Sequence, residues 1–410
     1  MFNENCTNNT IYSSHTFIFP FKLDLYPTSY KLDEIDKKID KHRWEAKKYE
    51  VDKAYKYNEF SYFYPYVQEI LFNKKEIDKN QASIYYKYRN SSGTYEIDIS
   101  NDKTYSLDIV SITLRIYKSG IAILSYNLEN KHQTQASIKD ILKINDFGRR
   151  IYPPFVTDDN HQFSTSNTKQ ALLANKLTIR MEECIIETFE SFKSNSYISN
   201  TIMSILGKDT FIYKADQSIK SNMSHIEIVP IIDDRMFTIC WYENDQLATD
   251  LQVYDDNAKT YSFARSDKWH ELVFIDGKGS TCQSENLKEH LLKNATYDRW
   301  VKKGTLYGIG KHSFICLTKE EKYSKSLKIH SQTIYNHIAH LILMQRASLV
   351  HFSQRVSTIS ENIQSNSSNI DDIQKLYADY IYFINRLHFR EVTAQDQGNE
   401  IYEMMLQQLN

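Results

Sequence analysis

The adjacent arginines Arg149-Arg150 are the residues of this sequence best suited to binding a charged ligand. They follow Phe147-Gly148, where the chain is expected to turn and free backbone amides can converge. Two guanidinium groups beside such a turn suit a phosphate or a carboxylate, because each presents a planar fork of donors. A solvated pair or an intramolecular salt bridge is the alternative. Further candidates for ligand binding are Tyr152, Lys118 and Lys311.

The segment Gly308-Ile309-Gly310-Lys311 contains part of the pattern of a phosphate-binding loop. That motif also needs a glycine five positions before its second glycine, and a serine or threonine after the lysine to hold magnesium. Those two positions are Thr305 and His312. The pattern therefore favours a glycine turn that leads into a strand at residues 314–317.

His337 and His340 lie three residues apart on a predicted helix, with His330 and His351 a few turns away. A helical zinc-protease site needs two histidines four residues apart, a glutamate between them and a third ligand. Neither the glutamate nor that spacing is present. Partly exposed helix histidines are the favoured interpretation.

Two groups of carboxylates are weak candidates for metal binding. Asp233-Asp234 follows a predicted strand, where a carboxylate can hold a nuclease metal ion, although such pairs more often form turns. Asp396, Glu400 and Glu403 share one helical face, which in a symmetric oligomer would offer oxygen ligands to Mg²⁺; a hydrated face is the alternative. No Gly-x-Ser-x-Gly nucleophile motif occurs.

The composition is that of an ordinary globular protein. The 410 residues are 41% hydrophobic and 25% charged, with a net charge of −2, which predicts two or three domains and no general attraction to nucleic acid or anionic lipid. From Asn366 onward seven acidic residues oppose three basic ones, so direct binding of nucleic acid is not expected. Five scattered cysteines without a CxxC pair fit a reducing compartment.

The predicted fold class is α+β: a mixed-sheet body over residues 1–320, with a possible sub-boundary near 157–175, then long helices over 321–410. Hairpins are predicted for residues 83–99, around Asn90-Ser91-Ser92-Gly93, and for 107–127, around Lys118-Ser119-Gly120. Other predicted strands are 176–180, 226–232, 236–242, 271–275 and 313–317. Predicted helices before residue 320 are 31–58, 67–72, 138–144, 185–205 and 284–293.

The C-terminal region shows apolar residues spaced by threes and fours, as expected for helices that need a partner surface. The stripe runs from Ile338 to Ile363, is interrupted at 365–369, and resumes from Ile370 to Leu387. A third segment carries Ile401, Met405 and Leu409 in register and has no helix-stop signal, so we expect the natural protein to continue beyond residue 410.

Three segments together resemble the cytosolic region of divergent bacterial CorA-like membrane proteins, some of which are associated with type III CRISPR systems. They are residues 116–153 (IYKSGIAILS through to INDFGRRIYP), residues 345–353 (QRASLVHFS) and residues 389–398 (FREVTAQDQG). The Gly-Met-Asn pore signature of CorA transporters is absent from this sequence, so channel activity has no direct support in these residues.

The resemblance implies a cytosolic α/β domain at the bacterial inner membrane, a helical hairpin and a stalk helix that leads to transmembrane segments outside this sequence. It also implies a homo-oligomeric ring, pentameric in CorA relatives. For the CRISPR-associated members it implies a nucleotide second messenger, in some systems an S-adenosylmethionine–AMP conjugate.

The leading hypothesis is therefore a non-enzymatic ligand sensor of a CorA-like membrane effector, with Arg149 and Arg150 as phosphate contacts. The alternatives are a nuclease that uses Asp233 and Asp234, a hydrolase that degrades the messenger, and a non-catalytic oligomeric scaffold.

Overall fold

A computed structural model gives the structure of the chain. It describes residues 10–24, 31–73, 81–100, 103–151, 156–157, 169–170, 174–182, 184–188, 198–213, 225–233, 235–276, 279, 281–320, 323–364 and 370–409. A large mixed β-sheet, formed before residue 320, is followed by long helices, which confirms the predicted α+β class.

Eighteen strands are described, and fourteen of them form one sheet. They are β1 (Ser13–Asp24), β2 (Trp44–Ala46), β3 (Ser83–Tyr88), β4 (Thr94–Ser100), β5 (Lys103–Tyr117), β6 (Ile121–Asn130), β7 (Val156–Thr157), β8 (Lys169–Gln170), β9 (Lys176–Arg180), β10 (Cys184–Thr188), β11 (Phe211–Tyr213), β12 (Ile226–Pro230), β13 (Phe237–Glu243), β14 (Tyr254–Asp255), β15 (Thr260–Tyr261), β16 (Thr296–Tyr297), β17 (Leu306–Gly310) and β18 (Ser313–Thr318).

The main path of the sheet is β10-β9-β4-β5-β6-β1-β13-β18-β17-β16, with β3 and β2 attached at β5 and β12 and β11 attached at β1. The pairs β13–β18 and β11–β12 are parallel, and the other pairs of this sheet are antiparallel. The two pairs β7–β8 and β14–β15 lie outside it.

The described helices are α1 (Leu32–Lys38), α2 (Ala54–Tyr62), α3 (Pro65–Leu71), α4 (Ile138–Gly148), α5 (Asn200–Leu206), α6 (Asp245–Leu251), α7 (Asp267–Phe274), α8 (Glu285–Ala295), α9 (Ser324–Gln332), α10 (Ile334–Gln364), α11 (Ile370–Arg386) and α12 (Asp396–Leu409). Several begin at a side-chain cap: Ser137, Ser266 and Ser284 each accept a hydrogen bond from a backbone N–H of the first turn of the helix they precede.

Both faces of the sheet are buried, because successive side chains of a strand point to opposite sides. Phe17 and Cys240 belong to a first core, which packs beneath α1, α4, α6, α7 and α8. Ile18 and Trp241 belong to a second core, which packs beneath α3, α10 and α12. This second core joins Phe314 of β18 to Ile338 and Tyr402, so it includes residues from both sides of position 320.

The long strand β5 explains one correction to the predicted hairpins. β5–β6 is the expected antiparallel hairpin, and Gly120 in its turn has φ of +83°. In contrast β3 and β4 do not pair with each other. Both pair with β5 along the same edge, β4 with its first half and β3 with its second half. The prediction of a hairpin over residues 83–99 is therefore wrong.

Three predicted elements have a different secondary structure. The single helix predicted for residues 31–58 is instead α1, β2 and the start of α2, with Leu32, Ile35 and Ile39 of the predicted stripe buried. The strand predicted for 271–275 is the end of α7. The helix predicted for 185–205 begins as β10, an edge strand paired with β9, and only its last part forms α5.

The terminal helices form as predicted. Helix α10 has 31 residues and an axis of about 46 Å. Its first half is buried on the sheet, and its second half forms a helical hairpin with α11, closed by Phe352 against Phe383 and by an ion pair of 2.8 Å between Arg355 and Asp379. Helix α12 packs on β17 and α10 with Ile401, Met405 and Leu409 buried. The predicted break at 365–369 lies outside the described residues. Among the helices of the described ranges, none combines the length and apolarity that a bilayer crossing requires.

Acid should destabilise the fold through His15, which is fully buried. Its Nδ1 lies 2.7 Å from Asn145 Oδ1 and its Nε2 lies 2.8 Å from Ser13 Oγ. Burial lowers the pKa of His15 from 6.5 to about 4, although the hydrogen bond with Asn145 opposes this. The unfolded chain thus binds the proton first, and stability is lost as the pH falls from 6.5 to 4, by about 3 kcal/mol for this group.

Chemical denaturation at a series of pH values between 4 and 7 measures this loss. The variant His15→Gln should show a clearly smaller decrease in the free energy of unfolding over that range, relative to its own value at pH 7. His132→Gln, which changes an exposed histidine, should behave like the unmodified protein. An unchanged slope in His15→Gln would contradict the assignment.

Candidate functional site

A pocket of about 380 Å³ lies on the face of the sheet that packs against α10, next to the start of that helix. We call it the α10 pocket. It is lined by Lys47, Lys48, Tyr49, Tyr55, Glu59, Leu71, Phe72, Asn73, Tyr85, Val110, Ser111, Thr113, Arg115, Asn127, Gln332, Thr333, Asn336, His337 and His340. This volume lies within the usual range for small-molecule sites, and the lining combines aromatic rings with many polar groups.

Arg115 forms the floor of this pocket. It belongs to β5, opposite Tyr85 of β3, and its guanidinium stacks 4.7 Å from the centre of the Tyr85 ring. Its Nη1 donates to the carbonyl oxygens of Ile70 and Leu71, at 3.2 and 2.9 Å, at the C-terminal end of α3. A cation is favourable there because the carbonyl groups of a helix end are unpaired. Its Nε is buried and has no hydrogen-bond partner in the described part of the chain.

Glu59 and His337 form a close pair in the wall of the pocket. His337 Nε2 lies 2.7 Å from Glu59 Oε1, and the Tyr49 hydroxyl donates to Glu59 Oε2 at 2.7 Å. Burial alone would raise the pKa of Glu59, but these two hydrogen bonds and the charge of Arg115 lower it below the ordinary value. The carboxylate is therefore ionised at neutral pH. It holds the His337 ring between Phe63 and Phe72.

His340, one turn further along α10, is buried, and this corrects the expectation of partly exposed helix histidines. Its Nε2 lies 3.0 Å from Ser125 Oγ, while its Nδ1 has no partner within the described ranges. Burial and the positive charge of Arg115 move the pKa of His340 well below 6.5, so the ring is neutral. The side-chain oxygens of Asn336 and Asn73 are likewise buried and without a described partner.

A second polar region lies on the other side of α10, where the sheet divides. Strand β1 pairs with β13 through Ile18 and with β12 from Phe21 onward. Between these registers Phe19 and Pro20 have no partner on that side, and Pro20 suits such a gap because it has no N–H. We call the polar side chains around this division the fork cluster: Asp146, Arg149, Arg150, Asp233, Arg235, Lys311, His312 and Arg346.

Arg149 and Arg150, the principal candidates from the sequence, are both buried in the fork cluster. They follow the last turn of α4, and the backbone of Arg150 forms a bridge with Arg235. Arg150 Nη2 donates to Asp146 Oδ1 at 3.0 Å, and Arg149 Nη2 lies 3.6 Å from the same oxygen. The intramolecular salt bridge that the sequence left open as an alternative is thus present. Because both side chains are buried, replacing them together would disturb the fold as well as any ligand.

Asp233 is also engaged within the cluster. Arg235 donates to both carboxylate oxygens of Asp233, at 3.0 and 3.2 Å, and to His312 Nε2 at 3.2 Å. Burial, with the charges of Arg235, Arg149 and Lys311, lowers the pKa of His312 to about 3 despite the presence of Asp233. His312 is thus neutral, and its Nε2 lies 3.2 Å from both Arg235 Nη2 and Asp233 Oδ2. A metal at Asp233 would have to displace this arginine, and Asp234 lies outside the described residues.

The remaining sequence candidates lie in several places. Lys311 and His312 form the turn between β17 and β18, while Gly308 and Gly310 lie inside strand β17. The expected turn at the glycines is therefore wrong, and the strand predicted for residues 314–317 is part of β18. Lys118 is in the β5–β6 turn and stacks 4.5 Å from the ring centre of Tyr382, which joins the sheet to α11. Tyr152 lies outside the described residues.

The carboxylates of α12 do not converge on one ion in the single chain. Glu400 accepts hydrogen bonds from Arg299, at 2.9 and 3.0 Å, and from the Tyr297 hydroxyl. Asp396 and Glu403 are exposed. Within the described ranges no group of three or more histidine, cysteine, aspartate or glutamate side chains is placed to hold a metal ion.

Four members of the fork cluster, Arg149, Arg150, Lys311 and Asp233, were thus among the candidates that the sequence indicated, whereas the α10 pocket was missed. The histidines of that pocket were noticed only as potential metal ligands. The available signal was a glutamate directly after a predicted helix, Glu59, and an arginine in an apolar predicted strand, Arg115, because these residue types are rarely buried without a partner.

No known protein family matches this chain, and no curated protein or solved structure resembles it significantly.

Proposed function

We propose that this protein is a non-enzymatic sensor, and that a small nucleotide-type ligand binds in the α10 pocket. The observation that carries the proposal is the pocket itself: its volume of about 380 Å³, lined by residues that carry unpaired polar atoms, beside a helix that extends away from it. A buried polar atom without a partner costs free energy, so a ligand that supplies the missing hydrogen bonds is favoured.

The chemistry of the lining fits a nucleotide-type ligand. Arg115 Nε can donate a hydrogen bond, and the amide oxygens of Asn73 and Asn336 can accept. The rings of Tyr49 and Tyr55 offer aromatic surface on which a base can stack. Lys47 and Lys48 also line the pocket and would favour a phosphate group. The residues that line the α10 pocket thus offer contacts for a base, an amide and a phosphate group within one pocket.

The position of the pocket supports transmission of a signal along α10. The first turns of α10 supply Asn336, His337 and His340 to the wall, and the same helix continues into the hairpin with α11. A ligand that binds one arrangement of this helix more tightly than another shifts the population toward it. The hairpin would then carry the change to neighbouring subunits.

The assembly that would receive the signal is proposed from the resemblance to CorA-like membrane effectors. In that proposal the chain is the cytosolic part of a homo-oligomeric membrane protein in CRISPR-linked defence, with the pentamer of CorA relatives as the assembly to test and an S-adenosylmethionine–AMP conjugate as one messenger to test. The exposed apolar face of the hairpin supports the oligomer.

The test is ligand binding, measured by calorimetry and by thermal unfolding with ATP, AMP, cyclic oligoadenylates and an S-adenosylmethionine–AMP conjugate. At least one ligand should raise the melting temperature. Asn336→Leu, which replaces the unpaired acceptor by an apolar group with the same number of heavy atoms, should weaken its binding about tenfold or more. Asn286→Leu makes the same change on the exposed surface of α8 and should bind normally.

The alternative enzymatic functions predict a different result in the same experiment. A sensor returns its ligand unchanged after prolonged incubation, whereas a nuclease or hydrolase converts it, with activity lost in Asp233→Ala if the metal mechanism holds. Failure of every nucleotide to bind, or equal binding by Asn336→Leu, would remove the α10 pocket from the proposal.

A further inference from the structure

The fork cluster contains more cationic than anionic side chains. Its permanent charges are the cations Arg149, Arg150, Arg235, Lys311 and Arg346 and the carboxylates Asp146 and Asp233, while His312 is neutral. Among the described residues of the cluster, five cations thus stand against two carboxylates, and Arg150, Arg235 and Asp233 have further interactions besides those given above. Concentrated positive charge at a partly buried place is unfavourable unless an anion compensates it.

Arg149 shows this imbalance most directly. Its side chain is 2% exposed, and its Nε and Nη1 have no hydrogen-bond partner in the described part of the chain. Burial lowers the pKa of Arg149 to about 10; Asp146 opposes this effect, and the charges of Arg150 and Arg235 add to it. The nearest carboxylate is therefore shared among guanidinium groups and does not satisfy all of them.

A structural role at the end of α4 accounts for only part of the cluster. Arg149 and Arg150 follow the last turn of that helix, where a cation is favourable. Arg346 and Lys311 come from α10 and from the β17–β18 turn, and neither forms a salt bridge with a carboxylate of the described residues. Their convergence on one cleft therefore needs another explanation.

The size of the cleft decides where an anion can lie. The enclosed part has a volume of about 10 Å³, enough for no more than one water molecule. Its lining includes the cations Arg235, Arg346 and the exposed Lys311, together with Asp233, whose carboxylate is paired with Arg235. An anion larger than water must consequently lie at the mouth, beside Lys311 and the half-buried Arg346.

We propose that the mouth of the fork cluster is an oxyanion site, which binds a phosphate group between Arg346, Lys311 and Arg235. The phosphate is either a free ion or the phosphoryl group of a larger molecule. This site lies on the opposite side of α10 from the α10 pocket and does not depend on the ligand proposed there. Its occupation connects α10 to the β17–β18 turn and to the β12–β13 connection, so it would stabilise this end of the sheet.

The experiment is a titration of the full chain with inorganic phosphate at constant ionic strength, followed by calorimetry and by thermal unfolding. Phosphate should raise the melting temperature, whereas chloride at the same ionic strength should not. Arg346→Gln should weaken phosphate binding about tenfold, the effect of losing one charge-assisted hydrogen bond. Arg390→Gln replaces an exposed arginine elsewhere and should bind like the unmodified protein.

Lys311→Gln is a second test variant that should fold normally, because Lys311 is exposed and the substitution removes only its charge. It too should weaken phosphate binding. Stabilisation that is absent, or that is equal in Arg346→Gln, Lys311→Gln and Arg390→Gln, overturns the proposal.

Titration of Asn336→Leu with AMP and with phosphate separates the two sources of the anion and the two sites. If AMP still binds and competes with phosphate, the site accepts a phosphoryl group; if only phosphate binds, the ligand is the free ion. Both results require phosphate binding to survive Asn336→Leu. Its loss in that variant would assign the phosphate to the α10 pocket and overturn the separate site.

Discussion

The double substitution Ile373→Glu with Tyr377→Glu is expected to leave the protein folded but to abolish the self-association that we propose for it. Both side chains lie on the outer face of α11 and contribute little to the hydrophobic core, since Ile373 is 40% exposed and Tyr377 is 67% exposed. Two carboxylates on this face would have to be desolvated whenever a second copy covers it. The penalty of several kcal/mol corresponds to a decrease of about 100-fold or more in the association constant.

The partner on this face is inferred from the spacing and the charge of α11. Exposed apolar residues recur as in the seam of a coiled coil and are 36% to 70% exposed: Ile370, Ile373, Tyr377, Tyr380, Ile381 and Ile384. The charged residues Asp371, Lys375 and Arg386 lie on another side of the helix at 100° per residue. A second copy of this chain presents the same uncharged face and can approach without charge repulsion.

Sedimentation velocity over a range of protein concentrations measures this effect. The unmodified protein should sediment as an oligomer, and the double variant as a monomer with an unchanged circular dichroism spectrum. Val253→Glu with Tyr254→Glu places the same charges on an exposed apolar pair of the body and should not change the oligomer. A monomeric unmodified protein, or dissociation of both variants alike, would refute the interface.

The elements predicted correctly are those whose signal is local. The turn Lys118-Ser119-Gly120 supplies a glycine where φ is positive, so the β5–β6 hairpin could be identified from adjacent residues. The stripes of α10, α11 and α12 extend over many turns, and their helical period is unambiguous. Fold class followed from these elements because it needs only their type and order.

The errors arise where a distant partner decides the structure. Strands β3 and β4 have good strand sequences, but the length of β5 allows both to pair with it, and no local signal reports this. In α7 the window 271–275 was too short to show the helical spacing of Trp269, Leu272 and Val273 after the cap Ser266. Strand β10 is rich in β-branched residues, which its pairing with β9 favours over a helix.

The candidate sites depend even more on residues that are distant in the sequence. His337 was recognisable as a potentially functional residue, but its partner Glu59 is 278 positions away in the sequence. Arg149 and Lys311 were selected separately for their types, and only the folded sheet brings them together beside Arg346. Residue chemistry can thus be read from the sequence, whereas the constellation that gives it a function depends on topology.

The glycines of the segment Gly308-Ile309-Gly310-Lys311 have a structural cause, and the substitution Gly308→Ala tests it. A methyl group at Gly308 would lie 2.3 Å from Val273 Cγ2 and 3.1 Å from Trp269 Cζ2. In an ordinary strand this substitution gains up to about 1 kcal/mol from reduced backbone entropy. Here the overlap with the buried side chains of α7 should dominate, with a loss of about 2–3 kcal/mol in the free energy of unfolding, measured by chemical denaturation.

A double-mutant cycle with Val273→Ala identifies the cause of that loss. Val273→Ala removes the methyl group that the new Cβ would meet, so Gly308→Ala should cost clearly less in its presence than alone, with a coupling energy of about 1–2 kcal/mol. Pairing Gly308→Ala with Leu292→Ala, which shortens another fully buried side chain of the same core, should show almost no coupling. If this glycine served a phosphate ligand instead, Val273→Ala would not rescue the variant. Rescue would therefore show that β17 carries a glycine so that α7 can approach the sheet.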